Sequence, residues 1–147
     1  MKANMQPETT LSPTEISDLR CVAGLMIPPS AELRMPGADD DQVIADIVAT
    51  VGRDLADVRA ALAEVAGLAA MAPAARDASV AVWRAAGGAK LATLSRVILQ
   101  CYYRDDRVVL ALGREARAPF PLGNVLEQGD WSLLDPVRAR APMWRKV

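Results

Sequence analysis

The chain has 147 residues, of which 52% are hydrophobic and 24% charged, with a formal net charge of −1. This length is sufficient for one domain with its own core, and the composition is that of an ordinary globular protein. Because nucleic-acid-binding surfaces are strongly basic, the near-neutral charge argues against that class. Histidine is absent, which excludes a Ser-His-Asp triad, a Cys-His pair and a His-ligated metal or haem within this chain.

The first helix is the most clearly marked element of the sequence. Ser12-Pro13-Thr14-Glu15 has the form of a capping box with proline at the first helical position. Apolar residues then recur at helical spacing from Ile16 to Met26. Pro28-Pro29 ends this helix, because proline has no N–H to donate to the next helical hydrogen bond.

Further helices are predicted between residues 39 and 113 from their caps, apolar seams and glycine stops. The predicted second to sixth helices run from Asp39-Asp40-Asp41 to Gly52, Asp54 to Ala69, about Asp77 to Ala86, about Ala89 to Tyr103, and Asp105-Asp106 to Gly113. Residues that face the core are predicted in the third to sixth of these helices. In helix order they include Leu62 and Val65; Val80, Trp83 and Ala86; Cys101 and Tyr102; and Val108 and Leu112.

The pattern changes after Gly113, where no helical or strand period is sustained. Trp131 to Leu134 has room for one helical turn. We therefore predict an all-α fold: a small bundle of five to six helices over residues 1–113, followed by an extended, mostly irregular C-terminal arm over residues 114–147.

The arm is rich in residues that favour binding to a partner. Its aromatic residues lack a periodic element that would carry them into the helical core, and a cluster of exposed aromatics is unusual in a soluble protein. We predict that the arm docks through aromatic anchors with an arginine rim, namely Phe120, Trp131 and Trp144 with Arg138, Arg140 and Arg145. The alternative is that the arm folds back over its own helices.

No catalytic, cofactor-binding or metal-binding residue is predicted in this chain. Three adjacent carboxylates at Asp39-Asp40-Asp41 diverge on a helix, so they indicate helix capping rather than a metal site. Cys21 and Cys101 are predicted to be buried free thiols, with a disulfide between the first and fifth helices as the alternative. The Tyr102-Tyr103 pair favours packing over acid–base chemistry, and no glycine-rich nucleotide loop is present.

Membrane insertion and export are not indicated by the sequence. The longest stretches without a charged residue, Cys21 to Ala31 and Val65 to Ala75, have 11 residues each, whereas a membrane-spanning helix needs about 20 apolar residues. The N-terminus has no basic region followed by an apolar stretch, so a cytoplasmic location is expected. A periplasmic location is the alternative if a signal was removed or if a partner carries one.

Two separated segments of the sequence carry the pattern of a known family. The first contains Leu11-Ser12-Pro13-Thr14-Glu15, Ile27-Pro28-Pro29 and Pro36-Gly37-Ala38; the second contains Leu99 to Asp105 followed by Leu112-Gly113. They resemble the gluconate 2-dehydrogenase subunit 3 family, in which a serine-capped helix runs into Ile-Ile-Pro and Pro-Gly-Ala, and a later helix ends in a Tyr-Tyr pair. With the helices between them, the two segments cover about residues 11–123.

The resemblance implies a non-catalytic accessory subunit. Family members associate with a large flavin-dependent alcohol or sugar dehydrogenase of the glucose-methanol-choline type, whose large subunit holds the FAD. The family often carries a twin-arginine export signal, which this sequence lacks. Whether a cytochrome subunit also belongs to such a complex stays open. The competing hypotheses are a self-associating helical interaction module without an enzyme partner, and a free-standing enzyme that uses carboxylates and tyrosines.

Overall fold

The computed structural model describes residues 10–118, 120–121, 123 and 129–141. Within these ranges every regular element is a helix, apart from an isolated antiparallel bridge between Ser30 and Met35. The predicted all-α fold class is therefore confirmed. The α-helices are α1 (Pro13–Met26), α2 (Asp41–Thr50), α3 (Leu55–Ala63), α4 (Pro73–Ala86), α5 (Ala89–Tyr102), α6 (Asp106–Ala111) and α7 (Asp135–Arg138). Shorter 3₁₀ turns occupy Gly52–Asp54, Leu68–Ala70 and Trp131–Leu134.

The helix starts follow the caps that the sequence contains. Ser12 and Glu15 form the predicted capping box, with the Ser12 N–H donating to Glu15 Oε2 at 2.7 Å and the Glu15 N–H donating to Ser12 Oγ at 3.3 Å. Asp40 caps α2 by accepting from the Gln42 N–H at 2.9 Å. Asp105 caps α6 in the same way. Each cap satisfies a backbone donor that has no partner inside its helix.

The core lies where α5 packs against α3 and α2, while α1 packs against α2, α3 and the 3₁₀ turn Leu68–Ala70. Its largest fully buried side chains are Leu19, Ile47, Leu62, Leu68, Leu94, Ile98, Val43, Val58 and Val108. These are the apolar faces of amphipathic helices, so the main seams were correctly predicted from their spacing.

Two predicted boundaries are wrong. The third helix ends at Ala63 rather than Ala69, because the chain turns through Gly67, whose φ of 81° is left-handed, into the 3₁₀ turn Leu68–Ala70. The fourth helix begins at Pro73 rather than near Asp77, since proline is well suited to the first helical position. The predicted turn at Trp131 to Leu134 is present as a 3₁₀ turn, and the chain continues from it into α7.

Two residues predicted to point inward are exposed instead. Ala86 lies at the exposed C-terminal end of α4, and Leu112 is 50% exposed beyond the end of α6. The buried residues of α4 are Val80 and Trp83, and the indole N–H of Trp83 donates to Glu64 Oε2 at 2.9 Å. A short apolar stripe therefore holds α4 against the rest of its unit.

The chain divides into two compact units, residues 1–116 and 117–147. The first contains α1 to α6 and the core described above. The second contains the 3₁₀ turn Trp131–Leu134 and α7, and its described residues are exposed except Gly123, which is partly exposed. Across the described part of the chain, none of the helices combines the length and apolar character needed to cross a membrane.

Candidate functional site

The two segments that carry the family resemblance meet in the first unit. Tyr102, at the end of α5, donates from its hydroxyl to the carbonyl oxygen of Pro36 at 3.0 Å, although the two residues are 66 positions apart. Burial is the main cause of the raised pKa of Tyr102. This hydrogen bond joins the end of α5 to the loop that follows α1.

The same loop is fixed closely against α1. A Cβ built on Gly37 would lie 2.2 Å from Asp39 Oδ1 and 2.9 Å from Pro29 Cδ, and one built on Gly24 would lie 3.1 Å from the Asp39 side chain. Both glycines therefore allow an approach that a side chain would block. This explains in physical terms why the Pro-Gly-Ala stretch has glycine at its centre.

A charged corner lies beside this contact and consists of Asp40, Asp46, Arg104, Asp105 and Arg107. Arg107 Nη2 lies 2.6 Å from Asp40 Oδ1 and 2.8 Å from Asp105 Oδ2, so one guanidinium bridges the caps of α2 and α6. Arg104 Nη2 lies 2.6 Å from Asp46 Oδ2 and joins α5 to α2. Hydrogen bonds from Arg107 are the main cause of the lowered pKa of both Asp40 and Asp105.

Cys101 lies at the inner edge of the charged corner, beside a cavity of about 310 Å³. Its Sγ is 3.6 Å from Thr50 Oγ1 and 3.6 Å from an Arg104 nitrogen. Burial raises the pKa of the Cys101 thiol despite the neighbouring cation. Cys101 is thus a buried thiol that packs within the core.

Both cysteines are free in the structure. Cys101 is buried as predicted, whereas Cys21 is only partly buried and packs against the edge of the core. The structure therefore does not contain the alternative, a disulfide between the first and fifth helices.

The three consecutive carboxylates at the start of α2 diverge. The Asp40 side chain caps the helix, Asp41 Oδ1 pairs with Arg20 Nη2 at 2.8 Å, and the Asp39 side chain lies against Gly24 and Gly37. The prediction of helix capping is confirmed for Asp40. Over the residues that the structure describes, no group of three or more Cys, Asp and Glu side chains is arranged to hold a metal ion.

Asp18 is the buried polar residue that sequence reasoning missed. It is only 6% exposed, and its carboxylate accepts from the Gly67 N–H at 2.9 Å and from the Ala69 N–H at 2.8 Å. These bonds tie α1 to the turn after α3, beside a groove of about 480 Å³. The sequence did indicate that Asp18 is buried, because it lies four residues before the apolar Val22 and so on the same face of α1.

The second unit exposes two of the three anchors that were predicted for a partner. Phe120 is 86% exposed and Trp131 is 62% exposed, and α7 adds Val137 at 57%. Leu133 and Leu134, which the prediction did not include, are 75% and 41% exposed. We refer to Phe120, Trp131, Leu133, Leu134 and Val137 as the arm anchors.

The predicted arginine rim is only partly described. Arg138 Nη1 lies 3.4 Å from Asp135 Oδ1, one turn earlier on the same helix, and Arg140 is exposed. Trp144 and Arg145 lie outside the described residues. Two of the three predicted rim arginines, Arg138 and Arg140, are therefore exposed in the described part of the chain.

No protein-family model matches this chain, and comparison with curated proteins and with solved structures also gives no match.

Proposed function

We propose that this chain is a non-catalytic subunit that assembles with and stabilises a large flavin-dependent dehydrogenase of the glucose-methanol-choline type. The observation that carries the proposal is the exposure of all five arm anchors. Each is between 41% and 86% exposed, and all lie between residues 120 and 137. Large apolar side chains that remain exposed in one segment are typical of an interaction surface. The family resemblance supplies the class of partner.

The chemistry available to the chain also supports an accessory role. The full sequence has no histidine, and its two cysteines are free, with Cys101 buried and held protonated. Arg104 and Arg107 are engaged in ion pairs that join helices. In this proposal the FAD and the reacting groups belong to the large subunit. In this proposal the complex is cytoplasmic, with a periplasmic location as the alternative, and a cytochrome subunit would belong to it only as the electron acceptor.

Co-purification tests the proposal. The tagged full chain, expressed together with its neighbouring genes, should retain a large protein that has the absorbance of oxidised flavin. A Trp131→Glu/Leu133→Glu variant should lose that protein, because two charges replace the most exposed apolar groups of α7 and the preceding turn. Ala92→Glu, an exposed position on α5, is the matched control and should retain it.

Two results would contradict the proposal. One is the absence of any flavoprotein from every preparation of the wild-type chain. The other is turnover or cofactor binding by the purified chain alone, which would favour a free-standing enzyme.

A further inference from the structure

The outward face of α4 is apolar, although the solvent-facing side of a helix normally carries charged groups. Val80 and Trp83 are the residues that α4 buries. At about 100° per residue, the exposed apolar residues fall in an arc of roughly 140° on the opposite side. These residues are Ala74, Ala75, Ala78, Ala81, Val82, Ala85 and Ala86. One side of α4 thus packs on its own unit, and the other presents an alanine-rich face.

The spacing within this face is that of a helix-pairing seam. Ala74, Ala78, Ala81 and Ala85 are separated by four, three and four positions, which is the heptad spacing of residues at a helix–helix contact. Side chains as small as alanine allow two helices to approach more closely than leucine-rich seams do. We refer to these four residues as the alanine seam.

The two flanks of the alanine seam differ in character. On one flank Asp77 and Arg84 stand seven positions apart, and both are exposed. Neither has an ion-pair partner among the described residues. The other flank carries Val82, which lines a groove of about 540 Å³ that also contains Leu68 and Met71.

We propose that two copies of this chain associate through the alanine seam, with their α4 helices antiparallel about a two-fold axis. In an antiparallel pair with this symmetry each flank meets its own counterpart, so Asp77 of one copy faces Arg84 of the other, twice. The apolar flank likewise meets the apolar flank. In a parallel pair, each flank would meet the opposite flank, and both charges would face apolar side chains. Charge complementarity therefore selects a second copy in the antiparallel orientation.

The interface is small, because α4 has 14 residues and is only about 21 Å long. Interfaces of limited area are commonly transient, so a dimer that dissociates in the micromolar range is expected. The surface is separate in sequence from the arm anchors. Self-association and the proposed binding of a dehydrogenase therefore succeed or fail independently.

Sedimentation velocity of the full chain over a concentration series tests the presence of the dimer. The wild type should shift from monomer to dimer as its concentration rises through the micromolar range. Ala78→Glu should remain monomeric at all concentrations, with an unchanged circular dichroism spectrum, because it places a charge at the centre of an exposed seam. Ala92→Glu on α5 is the matched control and should dimerise like the wild type. A wild-type chain that is monomeric throughout, as it would be if its own arm covered α4, overturns the proposal.

Charge-reversal variants test the orientation. Asp77→Arg and Arg84→Asp should each weaken the homodimer by roughly tenfold, because each places like charges opposite one another twice. Mixing the two variants should restore dimers, because every flank pair then joins opposite charges. The double variant Asp77→Arg/Arg84→Asp should also dimerise like the wild type. Failure of the mixture to form heterodimers, or a dimer insensitive to Ala78→Glu, would overturn the antiparallel α4 interface.

Discussion

Asp18 and Ala69 are joined by a hydrogen bond of 2.8 Å between the carboxylate of α1 and a backbone N–H of the turn after α3. A second bond of 2.9 Å from the Gly67 N–H to the same carboxylate completes the link. A buried aspartate thus acts as a cap for an element some fifty positions away in the chain. This contact holds the turn that follows the third helix against α1.

We expect Asp18→Ala to lower the free energy of unfolding by about 2 kcal/mol, because it removes the acceptor for two part-buried N–H groups. Asp18→Asn should recover less than half of this loss, since an amide offers one oxygen and places its NH₂ against a donor. Urea denaturation followed by circular dichroism measures both changes. Asp57→Ala, at an exposed position of α3, is the control. Equal midpoints for Asp18→Ala and the wild type would show that the link contributes nothing.

The Arg107 bridge predicts a pH-dependent contribution to stability. Asp40 and Asp105 have a lowered pKa in the folded chain, chiefly through hydrogen bonds from Arg107. Each carboxylate therefore binds fewer protons when folded. Its stabilising contribution is complete above the unfolded pKa of about 3.9 and is lost as the pH falls through the folded value.

Arg107→Gln should accordingly lower the free energy of unfolding by roughly 1 kcal/mol at neutral pH, because the pair is partly exposed to solvent. The difference from the wild type should shrink towards zero as the pH falls below about 3. Denaturant titrations at a series of pH values provide the measurement. Arg53→Gln, which removes an exposed arginine without an ion pair among the described residues, should show no such convergence. A difference that stays constant with pH would refute the bridge.

A side chain at position 37 should clash with its neighbours in the loop where the two family-like segments meet. Gly37→Ala would place Cβ 2.9 Å from Pro29 Cδ and 3.1 Å from Pro29 N. Asp39 could rotate away, but the proline ring and backbone cannot. We expect a loss of about 1 to 3 kcal/mol in the free energy of unfolding. Gly129→Ala, where no atom lies within 4 Å of the added Cβ, should change it by less than about 0.5 kcal/mol. Similar melting temperatures for the two variants would contradict the crowding.

Sequence reasoning succeeded where the determining interactions are local. The capping box at Ser12 and Glu15 and the aspartate caps of α2 and α6 each depend on residues within three positions of one another. The error at the third helix has the opposite origin. Val65 and Leu68 stay buried after the helix ends, so the apolar spacing continues through the turn. The residue that holds this turn, Asp18, is distant in sequence.

The candidate site was predicted less completely for the same reason. The exposure of Phe120 and Trp131 follows from the lack of a periodic element around them. The bridge from Arg107 to Asp40 spans 67 positions, and nothing local to either residue indicates it. Leu133 and Leu134 were missed because a pair of leucines in a segment without a sustained period does not indicate whether either is exposed.

The seam of α3 provides a direct test of the core. Leu62 is 2% exposed, so Leu62→Asp would bury a carboxylate with no partner. This should cost several kcal/mol, on the order of 3 or more, and leave the chain largely unfolded at ambient temperature. Leu33→Asp is the matched control, because Leu33 is 59% exposed in a turn and should tolerate the charge. Thermal unfolding measured for both variants decides the matter, and an unchanged melting temperature for Leu62→Asp would show that this seam is not core.

Deletion of residues 124–147 separates the two roles that the arm could have. The described residues of the second unit are exposed, apart from the partly exposed Gly123, so their removal takes little buried apolar surface from the helical core. We therefore expect the truncated chain to unfold at the same denaturant concentration as the full chain, with an unchanged helical spectrum for residues 10–116. The same deletion removes four of the five arm anchors, and a few buried aromatic and aliphatic groups usually dominate binding at an interface. The truncated chain should consequently lose the co-purifying flavoprotein that the full chain retains. If it instead loses its own stability while binding the partner as tightly as before, the arm belongs to the core and not to the interface.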